Sequence, residues 1–270
     1  MPFKDNICVE LTRPEYVPVL KDGSIYYGGS QMWFSDQNWY SKDYILHNYG
    51  CGTIATADLF LYLALQKKTY RTEVTALAIN KEDRIHASDY TAYLRLINND
   101  YTKTRRYLAV LGPVAASAIN SYSKIYGLGL KASWKWNLNY YDMYNLIEEM
   151  LQKDIPVILS IGPNTPNLWG KEGIPFYELK EIDYHEPRED TEEKPEEMSK
   201  PYYYHAVKQR ISGHYVTVTA LIKDEVTDRI MLRISSWGKQ YYINYEEYWD
   251  YIENVGGSFT SSMIHIKEND

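Results

Sequence analysis

The chain has 270 residues, of which 44% are hydrophobic and 24% charged, and its formal net charge is −7. These values are typical of a globular protein with a sizeable core, and no basic stripe is present that would bind nucleic acid. The longest apolar runs are too short to span a membrane, and residues 1–20 lack the pattern of a signal peptide. The sequence therefore predicts a cytoplasmic protein with no membrane or nucleic-acid partner. Its two cysteines, Cys8 and Cys51, predict no disulfide framework, although a single pairing between them stays open.

The first part of the chain leads into a central helix. Residues 1–22 contain three prolines and no clear period, which indicates an N-terminal arm lying over the body of the protein. Two short strand-like runs then flank Gly28 and Gly29, which predict either a tight turn or the approach to a cleft. From Thr53 to about Lys67, apolar residues recur at helical spacing over a wide face, which predicts a buried helix.

Further helices follow this central one. Gly112-Pro113 begins a helix that Gly127 ends, because proline suits the first turn and glycine the position after the last turn. Ser88 or Asp89 is predicted to cap a helix between the central helix and Gly112, and Asn139 is predicted to cap a helix after Gly127. Short strands are predicted at residues 128–134 and 156–161.

A long irregular region separates these helices from the end of the chain. Residues 162–213 contain six prolines and keep no regular pattern for long. Between Glu178 and Lys200 there are ten acidic and four basic residues, so most of the net charge lies here. We interpret this region as a long acidic insertion at the surface, since loops of this length in compact domains are usually functional or mobile.

The last part of the chain, residues 214–270, is predicted to be mainly β. Residues 214–222 alternate and are β-branched, and residues 229–234 are their expected hairpin partner. Residues 241–243 and 259–266 read as further strands, with a short helix at 245–252 between them. A mainly helical half, 23–161, and a mainly β half therefore predict an α+β fold in a single domain spanning 1–270.

Cys51 lies between Gly50 and Gly52 where the central helix is predicted to begin. Unpaired N–H groups and the positive end of the helix dipole lower the pKa of a thiol at this position. Backbone N–H groups there are also suited to stabilise an oxyanion. Cys51 is therefore the candidate nucleophile. The alternative is a packed core thiol, because free cysteine is among the most buried residue types.

A thiol nucleophile needs a base, and the base needs a third group that orients it. His214 follows Gly213 and begins the most regular strand of the chain. Ser235 and Trp237 follow the end of the partner strand, and in a hairpin these two strand ends lie side by side. We expect Ser235 to accept a hydrogen bond from His214, and Trp237 to line the cleft and shield the histidine from water.

These motifs together resemble the papain-like cysteine peptidases. The shared features are a Cys-Gly pair opening the central helix, a Gly-His pair opening a late strand, and a Ser-Trp-Gly run after the next strand. The nearest branch is the bacterial one typified by the leader-cleaving peptidases of peptide exporters, and the resemblance covers Gly28–Ile266. It implies a helical half packed on an antiparallel β half with the cleft between them. It also implies that Cys51 is the nucleophile, His214 the base and Ser235 the residue at the orienting position.

Two positions depart from the pattern of that family. The family has Asn or Asp at the orienting position, where this chain has Ser235. It also has an oxyanion-hole glutamine six residues before the nucleophile, where this chain has Ile45. The candidates for that role are Gln31, Asn48 and, less favourably, Gln37.

The resemblance implies a thiol-dependent hydrolase that acts on a peptide or small amide substrate and needs no cofactor. The histidines outside this constellation show no metal-ligand spacing, so no metal site is predicted. Two alternatives stay open. An acyltransferase would pass the same acyl-enzyme to an amine, and a catalytically weak or inactive binding module would keep the cleft without the chemistry.

Overall fold

The computed structural model describes residues 8–80, 82–162, 173–181, 202–224 and 228–268. Over these residues the chain forms six α-helices and a large antiparallel sheet, so the fold is α+β as predicted. The helices are α1 (Lys42–Tyr49), α2 (Cys51–Gln66), α3 (Ala87–Ile97), α4 (Gly112–Tyr126), α5 (Tyr140–Gln152) and α6 (Tyr245–Val255). The strands are β1 (Cys8–Glu10), β2 (Pro18–Lys21), β3 (Ser24–Tyr27), β4 (Ile85–His86), β5 (Leu130–Trp136), β6 (Val157–Ile161), β7 (Ile174–Glu181), β8 (Tyr202–Ile211), β9 (His214–Asp224), β10 (Arg229–Ser236), β11 (Lys239–Asn244) and β12 (Ser262–Glu268).

Local sequence signals account for most of the helix ends. Helix α4 begins at Gly112 and ends before Gly127, whose φ of 63° is the left-handed conformation that glycine adopts readily. The Asn139 side chain caps α5 by accepting the N–H of Asp142. The predicted start and end of α4 and the predicted cap of α5 are confirmed. At α3 the predicted cap is wrong, because the helix already begins at Ala87 and has no side-chain cap.

The main sheet runs in the order β5-β12-β6-β9-β10-β11-β7-β8, and every pairing within it is antiparallel. The predicted hairpin of β9 and β10 is confirmed. Strands β5 and β6 come from the mainly helical half of the chain, yet they pair with β12 and β9. The two halves therefore share one sheet.

The N-terminal segment, predicted to lie over the body of the protein as an arm, contributes strands to the sheets. Its strand β1 pairs with residues 220–222 of β9, which lie beyond Val218, the last residue of β9 that pairs with β6. Its strand β2 joins β3 and β4 in a separate small sheet. The expected N-terminal arm is thus part of two sheets over its described residues.

The predicted acidic insertion also contains regular structure. Strands β7 and β8 pair with each other and extend the main sheet beyond β11. Strand β8 ends at Ile211, directly before the turn that leads into β9. Residues 163–172 and 182–201, which carry most of the acidic run, lie outside the described residues.

Helix α2 is the buried centre of the molecule. Every residue from Cys51 to Leu65 is buried, and the helix packs against β9 and the neighbouring helices. Its apolar side chains belong to one connected core that also contains the inner faces of the main sheet. Within the described part of the chain, none of the helices has both the length and the apolar composition needed to cross a membrane.

Candidate active site

Two helices meet at Gly50, and Cys51 is the first residue of the second helix, α2. A Cβ atom at Gly50 would lie only 2.2 Å from the Leu46 carbonyl oxygen. A Cβ atom at Gly52 would lie 3.2 Å from the Tyr215 ring. The two glycines therefore let α1 turn into α2 and let α2 approach β9 closely. The prediction that the central helix begins at Cys51 is confirmed.

His214 is the first residue of β9, and a serine at the end of β10 holds its ring. His214 Nε2 lies 2.8 Å from the hydroxyl of Ser236. The prediction that Ser235 accepts a hydrogen bond from His214 is wrong, because the Ser235 hydroxyl donates to the Tyr27 carbonyl at 2.6 Å. The reason is strand alternation: Ser235 lies opposite Thr217, an odd number of residues from His214, and so belongs to the other face. The next serine falls on the face of the histidine.

Trp237 covers the flat side of the His214 ring, as expected. The two rings stack with their centroids 4.4 Å apart and their planes 13° apart. Trp237 and Gly238 form the two-residue turn between β10 and β11, with φ angles of 49° and 73°. Tryptophan is uncommon in this left-handed region, and such strain is concentrated at functional sites. The ammonium group of Lys208 also lies over the Trp237 ring, 4.7 Å from the ring centre.

Cys51 and His214 line the same small cavity, which has a volume of about 20 Å³. This volume holds about one water molecule. Each of the two side chains is 8% exposed, so neither is fully sealed from solvent. The remaining lining residues come from α2, the segment before it and the ends of β9 and β10: Gly29, Gln31, Ile54, Ala55, Asp58, Tyr215, Thr217, Ser235, Ser236 and Trp237.

Burial determines the resting protonation of the Cys51–His214 pair. It raises the pKa of the Cys51 thiol, although backbone hydrogen bonds from Tyr215, Gly52 and Cys51 itself act in the opposite direction. Burial, together with the smaller effect of the positive charge of Lys208, lowers the pKa of His214 to about 3. The resting pair is therefore a neutral thiol and a neutral imidazole at neutral pH. The expected lowering of the Cys51 pKa is wrong in its net direction, because desolvation outweighs the N–H groups of the helix end.

Of the three candidate oxyanion donors, Gln31 is the one that reaches the cavity. Its amide nitrogen donates to the His47 carbonyl at 2.9 Å, and the amide group has a second hydrogen that it is able to donate. Asn48 is exposed and donates to the Tyr44 carbonyl. Asn48 and Gln37 line a separate surface depression instead.

The segment at Gly28 and Gly29 crosses between the β half and α2. The Tyr27 N–H donates to the Gly238 carbonyl at 2.9 Å, and the Tyr27 carbonyl accepts from Ser235. The Gly29 N–H donates to the Asp58 carboxylate at 2.9 Å. Of the two interpretations of the glycine pair, the approach to the cleft is therefore the one that the structure shows.

Asp58 is the member of the site that the sequence reasoning missed. It lies two helical turns after Cys51 on α2, lines the same cavity and is 1% exposed. One carboxylate oxygen of Asp58 accepts the Gly29 N–H, and the other accepts the Tyr90 hydroxyl at 2.6 Å. The sequence did contain a signal, because this aspartate is the only charged residue in α2 and charged side chains are rarely buried without partners.

Asp58→Asn should change how stability depends on pH. Burial raises the pKa of Asp58 to about 7 in the folded protein, against about 3.9 in an unfolded chain. The folded state then binds more protons than the unfolded state between these values, so this group lowers the free energy of unfolding as the pH rises. The effect is up to about 1.4 kcal/mol per pH unit and ends above pH ~7. Urea unfolding between about pH 5 and 8 should therefore show the variant gaining stability relative to wild type as the pH rises.

Asp36→Asn is the control for this measurement. Hydrogen bonds from the Asn38 backbone and the Ser41 hydroxyl lower the pKa of Asp36, which is an exposed carboxyl group. Its replacement should lose stability relative to wild type as the pH rises through the acid range, which is the opposite sign. Parallel curves for wild type and Asp58→Asn would show that Asp58 is ionised throughout.

Comparisons with family models, with curated proteins and with solved structures give no match for this chain. Among the residues that the structure describes, no three side chains of His, Cys, Asp or Glu are grouped so that they would hold a metal ion. The candidate site is therefore defined by its geometry and its chemistry: a thiol at a helix start, an oriented imidazole, an amide donor and a buried carboxyl group around one cavity.

Proposed function

We propose that the protein is a cysteine-dependent hydrolase of peptide or small amide bonds, with a papain-like arrangement of its site. The observation that carries this proposal is that Cys51 and His214 line one cavity while Ser236 contacts Nε2 of the imidazole. The placement of the thiol on a buried helix, and of the histidine on an antiparallel sheet packed against it, supports the same conclusion.

In the proposed mechanism, His214 uses the ring nitrogen that Ser236 does not contact. This Nδ1 atom takes the proton from Cys51, and the sulfur attacks the carbonyl carbon of the substrate. The oxyanion is stabilised by the Gln31 amide and by backbone N–H groups at the start of α2. His214 then protonates the leaving amine, and a water molecule releases the acyl group from the sulfur.

The resting protonation state has a consequence for this mechanism. Both groups are neutral in the free protein, because burial disfavours both the thiolate and the imidazolium. Proton transfer must therefore accompany attack on the bound substrate instead of preceding it. The neutral hydroxyl of Ser236 fits this order of events, since it orients the ring without stabilising a charged imidazolium in advance.

One observation favours a second candidate, a binding module without catalysis. The cavity holds about one water molecule, and the two reactive groups are 8% exposed, so substrate access needs an opening beside them. In this alternative the cleft residues recognise a partner, and the thiol is a packed core group.

Acylation by p-nitrophenyl acetate tests the proposal, because this small activated ester needs only a nucleophile, a base and an oxyanion donor. We expect a burst of p-nitrophenol and an acetyl adduct on Cys51, located by mass spectrometry of peptides. Cys51→Ala should remove the burst, whereas Cys8→Ala, at an exposed cysteine, should leave it unchanged. An acetyl group on Cys8 alone, or no adduct, would reject the hydrolase and favour the binding module. Transfer of the acetyl group to added glycine amide in place of water would identify an acyltransferase.

A further inference from the structure

Asp58 and Cys51 lie on the same face of α2, seven residues apart. At a rise of about 1.5 Å per residue, this separation is about 10 Å along the helix axis. Both residues line the cavity, with the thiol at the helix start and the carboxyl group two turns further on. The mechanism proposed above gives Asp58 no chemical step, so its burial within the site requires another explanation.

The two oxygens of Asp58 have distinct partners. One accepts the Gly29 N–H at 2.9 Å, and the other accepts the Tyr90 hydroxyl at 2.6 Å. Gly29 is two residues before Gln31, the amide that reaches the cavity. Asp58 therefore connects the nucleophile helix directly to the backbone that carries the candidate oxyanion donor.

The same backbone fits into a space too narrow for side chains. A Cβ atom at Gly28 would lie 2.7 Å from the Asp58 carboxylate and 2.5 Å from the Ser235 hydroxyl. A Cβ atom at Gly29 would lie 1.8 Å from the Tyr90 hydroxyl. The segment is thus held between α2 and α3 on one side and the end of β10 on the other, with Asp58 as its polar contact on the helical side.

We propose that Asp58 is a positioning residue: its carboxylate holds the Gly29 N–H and so sets the Gln31 amide against the start of α2. This inference rests on the proposed function and adds to it a residue that acts through the oxyanion donor. A carboxylate accepts a hydrogen bond more strongly than a neutral carboxyl group does, so ionisation of Asp58 tightens the segment.

Several titratable groups face Asp58 from the elements around it. Tyr16, in the loop before β2, and Tyr90 and Tyr93, on α3, are close enough for the Asp58 charge to raise their own pKa values. Cys51 and His214 share its cavity. All of these are neutral at pH 7, because burial raises the pKa values of the three tyrosines and of Cys51 and lowers that of His214. The group that changes charge near neutral pH is therefore Asp58, whose pKa burial raises to about 7.

NMR of the intact protein tests the contact without any need for catalysis. The Gly29 amide resonance should titrate with a midpoint near the Asp58 pKa, about 7. In Tyr90→Phe the midpoint should rise, because the Tyr90 hydrogen bond lowers the pKa of Asp58. In Asp58→Asn the titration should vanish and the Gln31 side-chain resonance should move, whereas the exposed control Asp36→Asn should change neither. A Gly29 resonance that is insensitive to pH, or a Gln31 resonance unmoved in Asp58→Asn, would overturn the proposal.

A double-mutant cycle then tests the route through Gln31. With p-nitrophenyl acetate, Asp58→Asn should slow acylation about 10- to 100-fold, as expected for a misplaced group, and Gln31→Ala about 10²- to 10³-fold. The double variant should be no slower than Gln31→Ala alone, because the positioning residue has nothing left to position. Losses that multiply would overturn the positioning role. If wild type shows no acylation at all, the hydrolase proposal fails, while the NMR titration still decides whether Asp58 sets the segment.

Discussion

Replacing His214 with glutamine is expected to slow the acylation of Cys51 by about 10²- to 10⁴-fold, the range that a positioned general base contributes. The reason is the buried environment, which raises the pKa of Cys51 and leaves little thiolate for an unassisted attack. Stopped-flow release of p-nitrophenol at neutral pH measures the effect. The variant should remain folded, because glutamine is also able to hydrogen-bond Ser236 and does not need to lose a proton on burial.

Two neighbouring serines provide the matched control for this result. Ser236→Ala removes the contact to His214 Nε2 and should shift the ring nitrogen resonances of the histidine, together with a slower acylation. Ser235→Ala should leave those resonances in place, because that hydroxyl contacts the Tyr27 carbonyl instead. An unchanged acylation rate in His214→Gln would mean that the thiol reacts without this base, and the proposed mechanism would then be wrong.

The second large effect is expected at Gly29. Gly29→Ala would place a Cβ atom 1.8 Å from the Tyr90 hydroxyl, so the segment, the tyrosine or both must move. Overpacking of a buried site costs about 1–3 kcal/mol, occasionally more, and we expect the upper part of this range because Tyr90 is fully buried. The shift of the segment should also slow acylation, since it moves the Gln31 amide. Urea unfolding and the acylation rate measure the two effects.

Gly23→Ala is the control that separates steric contact from backbone strain. Gly23 has a φ of +78°, yet no atom lies within 4 Å of its Cβ position. Its replacement should cost about 1–2 kcal/mol, the cost of a left-handed conformation, and should leave acylation unchanged. Gly29 does not have a positive φ, so any loss in Gly29→Ala comes from contact. If Gly29→Ala unfolds at the same urea concentration as wild type, the segment is not held as tightly as the structure shows.

The sequence by itself determined the elements that depend on short-range signals. The left-handed glycine after α4 and the asparagine cap of α5 are local features, and both were predicted at the correct residues. The hairpin of β9 and β10 followed from alternation and β-branching over neighbouring segments. These signals also placed Cys51 at a helix start and His214 at a strand end, which is enough to suggest a thiol–imidazole pair.

Some strands have no recognisable sequence pattern, and only the tertiary structure decided that these segments form strands. Strand β1 has three residues and pairs with the part of β9 that extends beyond β6. Strands β7 and β8 lie in a region with several prolines, and the irregular pairing at Pro175 lets the ladder pass a residue that has no N–H to donate. Such strands form because an unpaired edge is available to them, and that edge exists only once the sheet is assembled.

The details of the site were decided at the same level. Whether Ser235 or Ser236 contacts His214 depends on strand register, and the pairing shifts at Arg233 and Ile234, which residue types do not reveal. The net shift of the Cys51 pKa depends on burial, which outweighs the helix end that the sequence does show. The sequence therefore determined which residues are able to react. Strand register and the packing of α2 against the sheet decided their partners and their protonation, because both depend on distances between segments that are not adjacent in the chain.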